Sequence, residues 1–278
     1  SVTVLRRPLI SAIAGGSEFW ASNTANLTLD ASVSRDPDVL PGEEQGLTFL
    51  WRCLVLDSTG VTHDCRDTSN RLLGDTVDLS VATLLVPAGV LPRTRASPYR
   101  FSVTVSKANK LPVTSTVTTF IFEYPVPSIS LANQGPGTTL ANGRILVNAH
   151  ERVLLQGSCS ETGGRLGWSF EPPLAVTLCD PEVFPLGCSG QQLAVEGGKG
   201  AFVAGNTYDA ILSCTSNASG AVGSTRLTLL VNSPPTGQLC RACLHPSPPG
   251  MGGQCVKTGQ PVVGRFRMKC EQWADDDG

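Results

Sequence analysis

The sequence predicts an all-β protein made of tandem immunoglobulin-like (PKD/fibronectin-III-like) β-sandwiches. Three observations support this prediction. Apolar and polar residues alternate at period two along many short segments, whereas no stretch of helical length carries an apolar stripe at helical spacing. Turn signals separate these segments, and the 278 residues include 29 glycines and 20 prolines. The strand pattern also repeats at a spacing close to one domain length.

The first well-marked strand is "NLTLDASVS". Leu27, Leu29, Ala31 and Val33 share one face, because successive side chains of a strand point to opposite sides. We therefore expect Val33 to face the core and Asn26 to face solvent.

The next strand is "LTFLWRC", which follows a polar loop containing Asp36-Pro37-Asp38. Phe49, Trp51 and Cys53 share one parity in this strand. This pattern places Trp51 in the core with Cys53 beside it.

The same plan recurs further along the chain. In "ERVLLQGSCSETGGRLGWSF", alternation up to Cys159 leads into a Gly-Gly turn, and Trp168 follows on the next strand. Tyr99 and Tyr208 each begin a later strand, "YRFSVTVS" and "YDAILSCTS". A final alternating strand follows each of them and ends in proline-containing sequence, which is typical of a domain boundary.

These repeats divide the chain into three parts. Residues 1–125 and 126–232 are each expected to form an immunoglobulin-like sandwich, with boundaries near Tyr124-Pro125 and Asn232-Ser233. Residues 233–278 are expected to be the start of a third sandwich that is cut off after its first strands.

The cysteines favour disulfides in an oxidising compartment, since the chain has ten cysteines and only three histidines. Cys53 and Cys65 lie symmetrically about Ser58-Thr59-Gly60, a loop suited to a hairpin, so a bond between them is expected. Cys179 and Cys188 are expected to close a second local loop.

A third bond follows from aligning the two repeats. The alignment puts Val33 at the site of Cys159 and Val105 at the site of Cys214. In immunoglobulin-like domains these two sites face each other from opposite sheets. The sequence therefore predicts a Cys159–Cys214 bond in the second sandwich and a Val33–Val105 contact in the first.

Four more cysteines lie in the third part, at Cys240, Cys243, Cys255 and Cys270. A zinc site would be expected to use paired Cys-x-x-Cys knuckles, of which only one is present, and a thioredoxin-like dithiol would need a βαβ context. We favour two structural disulfides, Cys240–Cys270 and Cys243–Cys255.

Acidic clusters raise the question of a calcium site. Asp30, Asp36 and Asp38 supply the hard oxygen ligands that calcium prefers, and Asp275–Asp277 poses the same choice near the end of the sequence. Asp-Pro-Asp is also ordinary turn chemistry, and we favour that interpretation. No metal site is therefore predicted.

Catalysis is not predicted either. His63, His150 and His245 lie far apart in polar sequence. Neither the Gly-x-Ser-x-Gly motif of hydrolases nor a complete phosphate loop occurs. We expect no enzyme activity and no cofactor.

Charge, hydropathy and glycosylation motifs indicate a surface protein. The net charge of −2 gives no excess of positive charge that would bind nucleic acid. No apolar run approaches the ~18 residues that span a bilayer. Asn26 and Asn217 head glycosylation sequons. Since no signal peptide is visible, we expect a piece of an ectodomain whose targeting and membrane segments lie elsewhere.

In their order, "LTLDASVSRDPD", "LTFLWRC", "LLVPAGVL" and "YRFSVTVS" resemble the receptor-for-egg-jelly (REJ) module. "NSPPTGQ" and "FRMKCEQWADDDG" resemble the continuation of that region in polycystin-1-type proteins. The resemblance covers essentially the whole chain. It implies the extracellular portion of a very large membrane receptor, found on cilia, flagella or sperm, whose membrane part pairs with a polycystin-2-type cation channel.

Two functions follow as hypotheses. The first is a non-catalytic adhesive or mechanical stalk made of linked sandwiches. The second is a recognition module for an extracellular protein or glycan, with Trp20, expected in an early loop, as the aromatic platform.

Overall fold

The computed structural model describes residues 7–40, 42–56, 61–93, 98–140 and 142–233, and the backbone of three further strands. The described residues are all-β, as predicted, with one 3₁₀ turn at Leu73–Asp75. None of their helical segments is long and apolar enough to cross a bilayer. Contacts divide the chain into two compact units, Ser1–Val231 and Asn232–Gly278.

Eighteen strands are described. The first seven are β1 (Glu18–Ser22), β2 (Leu27–Asp30), β3 (Thr48–Leu56), β4 (Thr62–Asp64), β5 (Thr83–Val86), β6 (Tyr99–Ser106) and β7 (Val113–Phe122). The next eight are β8 (Ile129–Asn133), β9 (Thr138–Thr139), β10 (Ile145–Val147), β11 (Val153–Cys159), β12 (Arg165–Glu171), β13 (Gln192–Val195), β14 (Thr207–Thr215) and β15 (Val222–Val231). The last three are β16 (Leu239–His245), β17 (Cys255–Val256) and β18 (Arg265–Glu271).

Most strands of the first unit belong to one ten-stranded sheet. Its main path runs β12-β14-β15-β1-β7-β6-β3-β4, and β10 and β9 extend it beside β15. Two smaller sheets, β13-β11-β8 and β2-β5, complete the unit. Two separate hydrophobic cores result, one built from residues 27–121 and the other from residues 129–231.

The first core lies against strands β3, β6 and β7. Trp51 is 1% exposed there, and its indole nitrogen donates a hydrogen bond to Val81 O at 2.8 Å. Tyr99 is buried too, and its hydroxyl donates to Pro92 O. The expected core position of Trp51, with Cys53 beside it, is confirmed, because alternate residues of β3 turn to the same side.

The second core repeats this plan. Trp168 is buried and its indole nitrogen donates to Gly190 O at 2.9 Å, while Tyr208 accepts a hydrogen bond from Val203 N. Gly157 on β11 leaves room for the side chain of Leu212, because a Cβ atom at this position would lie 2.0 Å from it. The turn expected at Gly163-Gly164 is present between β11 and β12.

The prediction that Val33 contacts Val105 is wrong. Val105 is fully buried, but Val33 is 50% exposed. Strand β2 ends at Asp30, whose carboxylate accepts a hydrogen bond from Ser32 N, and a turn closes from Ser34 N to Ala31 O. This turn rotates Val33 out of the strand pattern, so alternation stops two residues earlier than expected.

The second unit contains a three-stranded antiparallel sheet in the order β17-β16-β18. Its backbone register sets Cys240 directly opposite Cys270 and Cys243 directly opposite Cys255. The two disulfides expected between these pairs stay predictions.

Candidate functional site

Strand β1 joins the two cores of the first unit. It pairs in parallel with β7 over five residues, from Glu18 opposite Thr118 to Ser22 opposite Phe122. Its other edge pairs antiparallel with β15, where Glu18 lies opposite Arg226. One strand therefore continues the sheet from the first core into the second.

Gly15 and Gly16 bring the chain close to β15 at the start of β1. Thr225 Oγ1 donates to Gly15 O at 2.8 Å, and Ser17 N donates to Arg226 O at 2.7 Å. Gly16 has a φ of +121°, and a Cβ atom there would lie 2.4 Å from Thr225 Oγ1 and 2.5 Å from Arg226 O. Only glycine fits this approach without displacing β15.

Arg226 forms ion pairs with several acidic side chains where β1 meets β15. Its guanidinium lies 3.1 Å from Glu18 Oε2 on β1 and 3.2 Å from Asp209 Oδ2 on β14. Glu171 on β12 lies 3.5 Å away. Charges from four strands of the shared sheet thus meet at one partly exposed arginine.

Trp20 lies on β1 and not in an early loop as the sequence suggested. It begins an aromatic strip on the outer face of the sheet. Its ring centroid is 5.3 Å from that of Phe122 and 6.1 Å from that of Phe120, and Phe122 contacts Tyr124 at 5.4 Å. Trp20 is half-buried, whereas Tyr124 is 54% exposed.

Asp36 pairs with two lysine side chains. The residue is 2% exposed, and its carboxylate accepts hydrogen bonds from Lys107 Nζ at 2.7 Å and from Lys110 Nζ. Lys110 also donates to Asp38 Oδ2 at 2.9 Å. Asp38 N donates to Asp36 Oδ1, which is the turn chemistry that the sequence favoured.

This environment sets the ionisation of Asp36. Burial opposes the charged form and raises the pKa, but the hydrogen bonds from Lys107 and Lys110 outweigh it. The pKa of Asp36 is therefore held well below its ordinary value. Asp30 accepts bonds from Ser32 and Thr83, so Asp30, Asp36 and Asp38 all have partners in the protein. Asp275–Asp277, the other residues considered for calcium, lie outside the described residues.

We expect an acid-dependent loss of stability that requires Asp36. A lowered folded-state pKa contributes stability that is complete above the unfolded value of about 4 and declines as the pH falls below it. Asp36→Asn should cost about 1–3 kcal/mol at pH 7 through its lost charge-assisted hydrogen bonds, and should flatten the slope below pH 4. Urea unfolding at a series of pH values measures both effects.

The exposed pair Arg52–Asp64 provides the control for Asp36. Its side chains are 66% and 57% exposed, so Asp64→Asn should change the free energy of unfolding by less than about 1 kcal/mol. Equal acid sensitivity of Asp36→Asn and the unmodified chain would contradict the role given to Asp36.

Three disulfides brace the two cores. Cys53–Cys65 closes the β3-β4 hairpin, and Cys179–Cys188 closes a loop beside the second core. Cys159 on β11 bonds to Cys214 on β14, which joins the three-stranded sheet to the ten-stranded sheet. These are the pairs that the sequence pattern suggested, although the hairpin loop at 57–60 lies outside the described residues.

A cleft opens beside β1, between the parts of the first unit that carry the two cores. Its volume is about 440 Å³. One part of its lining comes from residues 14–15, 19–21, 26–28 and 30, and the other part from residues 128–130 and 158–160. Asn26, one of the two sequon asparagines, lines this cleft. Asn217, the other, is exposed in the turn between β14 and β15.

The sequence matches the family described as "REJ domain" along residues 1–278. It is 28% identical over 252 residues to "Polycystin-1" of Homo sapiens, a match that covers 87% of this chain and 5% of that protein.

Similar solved structures include two from Drosophila. The Ig1-2 module of the receptor protein tyrosine phosphatase DLAR is 15% identical, with a TM-score of 0.27, over 81% of this chain and 99% of that one. The N-cadherin EC1-3 fragment is 12% identical, with a TM-score of 0.33, over 82% of this chain and 69% of that one.

Proposed function

The chain belongs to the REJ domain family, and we propose that it is a non-catalytic extracellular segment of a large polycystin-1-like membrane receptor. In this proposal it acts as an adhesive or mechanical stalk on the plasma or ciliary membrane. Coupling to a polycystin-2-type cation channel would occur through the rest of the receptor chain. The family match along all 278 residues supports the polycystin-1-like assignment.

The observation that carries the mechanical role is the position of β1 between β7 and β15. Two sandwiches joined only by a linker can be pulled apart without breaking a strand ladder. Here separation of the cores has to break the hydrogen bonds on at least one edge of β1. In this proposal residues 1–231 transmit tension as one body, and the disulfides limit how far each sandwich can extend.

Gly16→Val tests whether the junction couples the two cores. The added side chain would collide with Thr225 Oγ1 and Arg226 O, and the positive φ adds a strain of about 1–3 kcal/mol. When the full chain is pulled by its ends, we expect residues 1–231 of the unmodified protein to yield in a single event. The variant should yield in two separate events at lower force.

Gly190→Ala is the matched control for this experiment. A Cβ atom there would have ordinary contacts at 3.8 Å and 3.9 Å, so this variant should behave like the unmodified chain. Identical force traces for Gly16→Val and Gly190→Ala would exclude β1 as the mechanical connection.

A second candidate function is recognition of an extracellular glycan or protein. The aromatic strip that runs from Trp20 through Phe122 to the exposed Tyr124 favours it, because aromatic faces pack against sugar rings. Specific binding on a glycan array that is lost in both Trp20→Ala and Tyr124→Ala would favour recognition over the stalk.

A further inference from the structure

We propose that the glycan attached to Asn26 folds back into the cleft between the two sandwiches and packs there as part of the structure. Asn26 lines this cleft, so a sugar attached to it starts at the cleft's edge. The molecule proposed to fill the cleft is thus covalently attached to this chain. This inference rests on the extracellular location in the proposed function, but not on the stalk role.

The geometry of Asn26 leaves the reactive atom available. Its Oδ1 accepts a hydrogen bond from Ala88 N at 3.0 Å, which fixes the side-chain amide. Within the described part of the chain no hydrogen bond uses Asn26 Nδ2. In glycosylation Nδ2 bonds to the anomeric carbon of the first sugar, loses one proton, and releases the lipid pyrophosphate carrier that supplied the oligosaccharide.

The part of the cleft lining formed by residues 128–130 and 158–160 is rich in hydroxyl groups. Ser130 and Ser158 pair through their hydroxyls at 2.7 Å, and Ser160 Oγ accepts from Ser128 N at 2.9 Å. Each hydroxyl retains further capacity to donate or accept, which suits a ligand that carries many hydroxyls. Ser130 and Ser158 are exposed, so this row faces the open cleft.

The remaining lining also fits a sugar. Asp30 provides a carboxylate at the cleft, and Phe19 and Trp20 provide apolar surface, so polar and aromatic groups are combined as in other small-ligand sites. The volume of about 440 Å³ falls within the range of about 300–1,000 Å³ typical of such sites. The cleft therefore takes the first sugars of a glycan while the outer branches extend into solvent.

Asn217 offers a contrast within the same chain. Its Nδ2 donates a hydrogen bond to Gly163 O, and the residue is exposed in a turn away from the cleft lining. A glycan at Asn217 would project into solvent. The two sequons therefore provide an internal comparison, because Asn26 lies beside the cleft and Asn217 does not.

The test uses the 278-residue chain secreted from mammalian cells. Under native conditions, peptide N-glycosidase should release the Asn26 glycan at least about tenfold more slowly than the Asn217 glycan, which corresponds to about 1.4 kcal/mol of shielding. Hydrogen exchange at residues 128–130 and 158–160 should be slower in the glycosylated chain than in Thr28→Ala, which lacks the Asn26 sequon. Thr28→Ser keeps the sequon and should retain the protection.

Two outcomes would overturn the proposal. Mass spectrometry could find Asn26 bare in the secreted protein, in which case no glycan fills the cleft. Alternatively, both glycans could be released at equal rates with no difference in exchange between Thr28→Ser and Thr28→Ala. Neither result depends on the pulling experiment, so the glycan and stalk proposals fail separately.

Discussion

Replacing Trp51 with alanine is expected to lower the free energy of unfolding of the first sandwich by about 3–5 kcal/mol. The side chain is among the largest that are fully buried, and its removal leaves a cavity between β3 and the segment before β5. The hydrogen bond from its indole nitrogen to Val81 O is lost as well. Guanidinium unfolding of the variant, compared with the unmodified chain, measures this loss.

Two further substitutions distinguish the effect of the lost side-chain volume at Trp51 from the effect of the lost hydrogen bond. Trp51→Phe keeps most of the apolar volume but leaves Val81 O without its donor, so it should cost less than the alanine change. Leu50→Ala, at a position 62% exposed on the same strand, should stay within about 0.5 kcal/mol of the unmodified protein. A loss for Trp51→Ala as small as that for Leu50→Ala would show that Trp51 does not support the core.

Removing the Cys159–Cys214 bond by a double alanine substitution should destabilise the second sandwich by about 4 kcal/mol. The bond closes a loop with a sequence separation of 55, and the chain entropy released to the unfolded state grows with loop length. Cys214 is also fully buried between the two sheets. Thermal and denaturant unfolding measure the loss, and a spectroscopic probe in each sandwich shows which of the two is destabilised.

The Cys179–Cys188 bond provides the control for this prediction. Its sequence separation is 9, so the same entropic argument gives a cost of about 2.6 kcal/mol. Equal losses for the two double variants would contradict loop length as the cause. A loss confined to the first sandwich would contradict the position of the bond in the second core.

The long strands could be predicted because their side chains alternate over many residues. β6, β7, β14 and β15 each have eight or more residues with one buried face, and this pattern is visible in the sequence. β1 was missed because it has only five residues and its inward positions, Phe19 and Ala21, are only half-buried. Its role comes from partners at residues 118–122 and 225–226, which local sequence does not reveal.

The error at Val33 has a different origin. The apolar residues at 27, 29, 31 and 33 alternate without a break, so periodicity alone extends the strand. The Asp30 carboxylate ends it by accepting a bond from Ser32 N. A short polar side chain that competes for the backbone therefore overrode the apolar pattern.

The location of β1 between β7 and β15 also sets the order in which the chain can complete its fold during synthesis. The edge of β1 that faces β15 has no partner until Arg226 has been made, 104 residues after Phe122 completes β7. At about 5–20 residues per second, that edge is open for about 5–20 s. An unpaired strand edge is a template for pairing with other chains. The growing protein thus has a defined interval in which a chaperone that covers this edge would prevent aggregation, and the interval closes when β15 arrives.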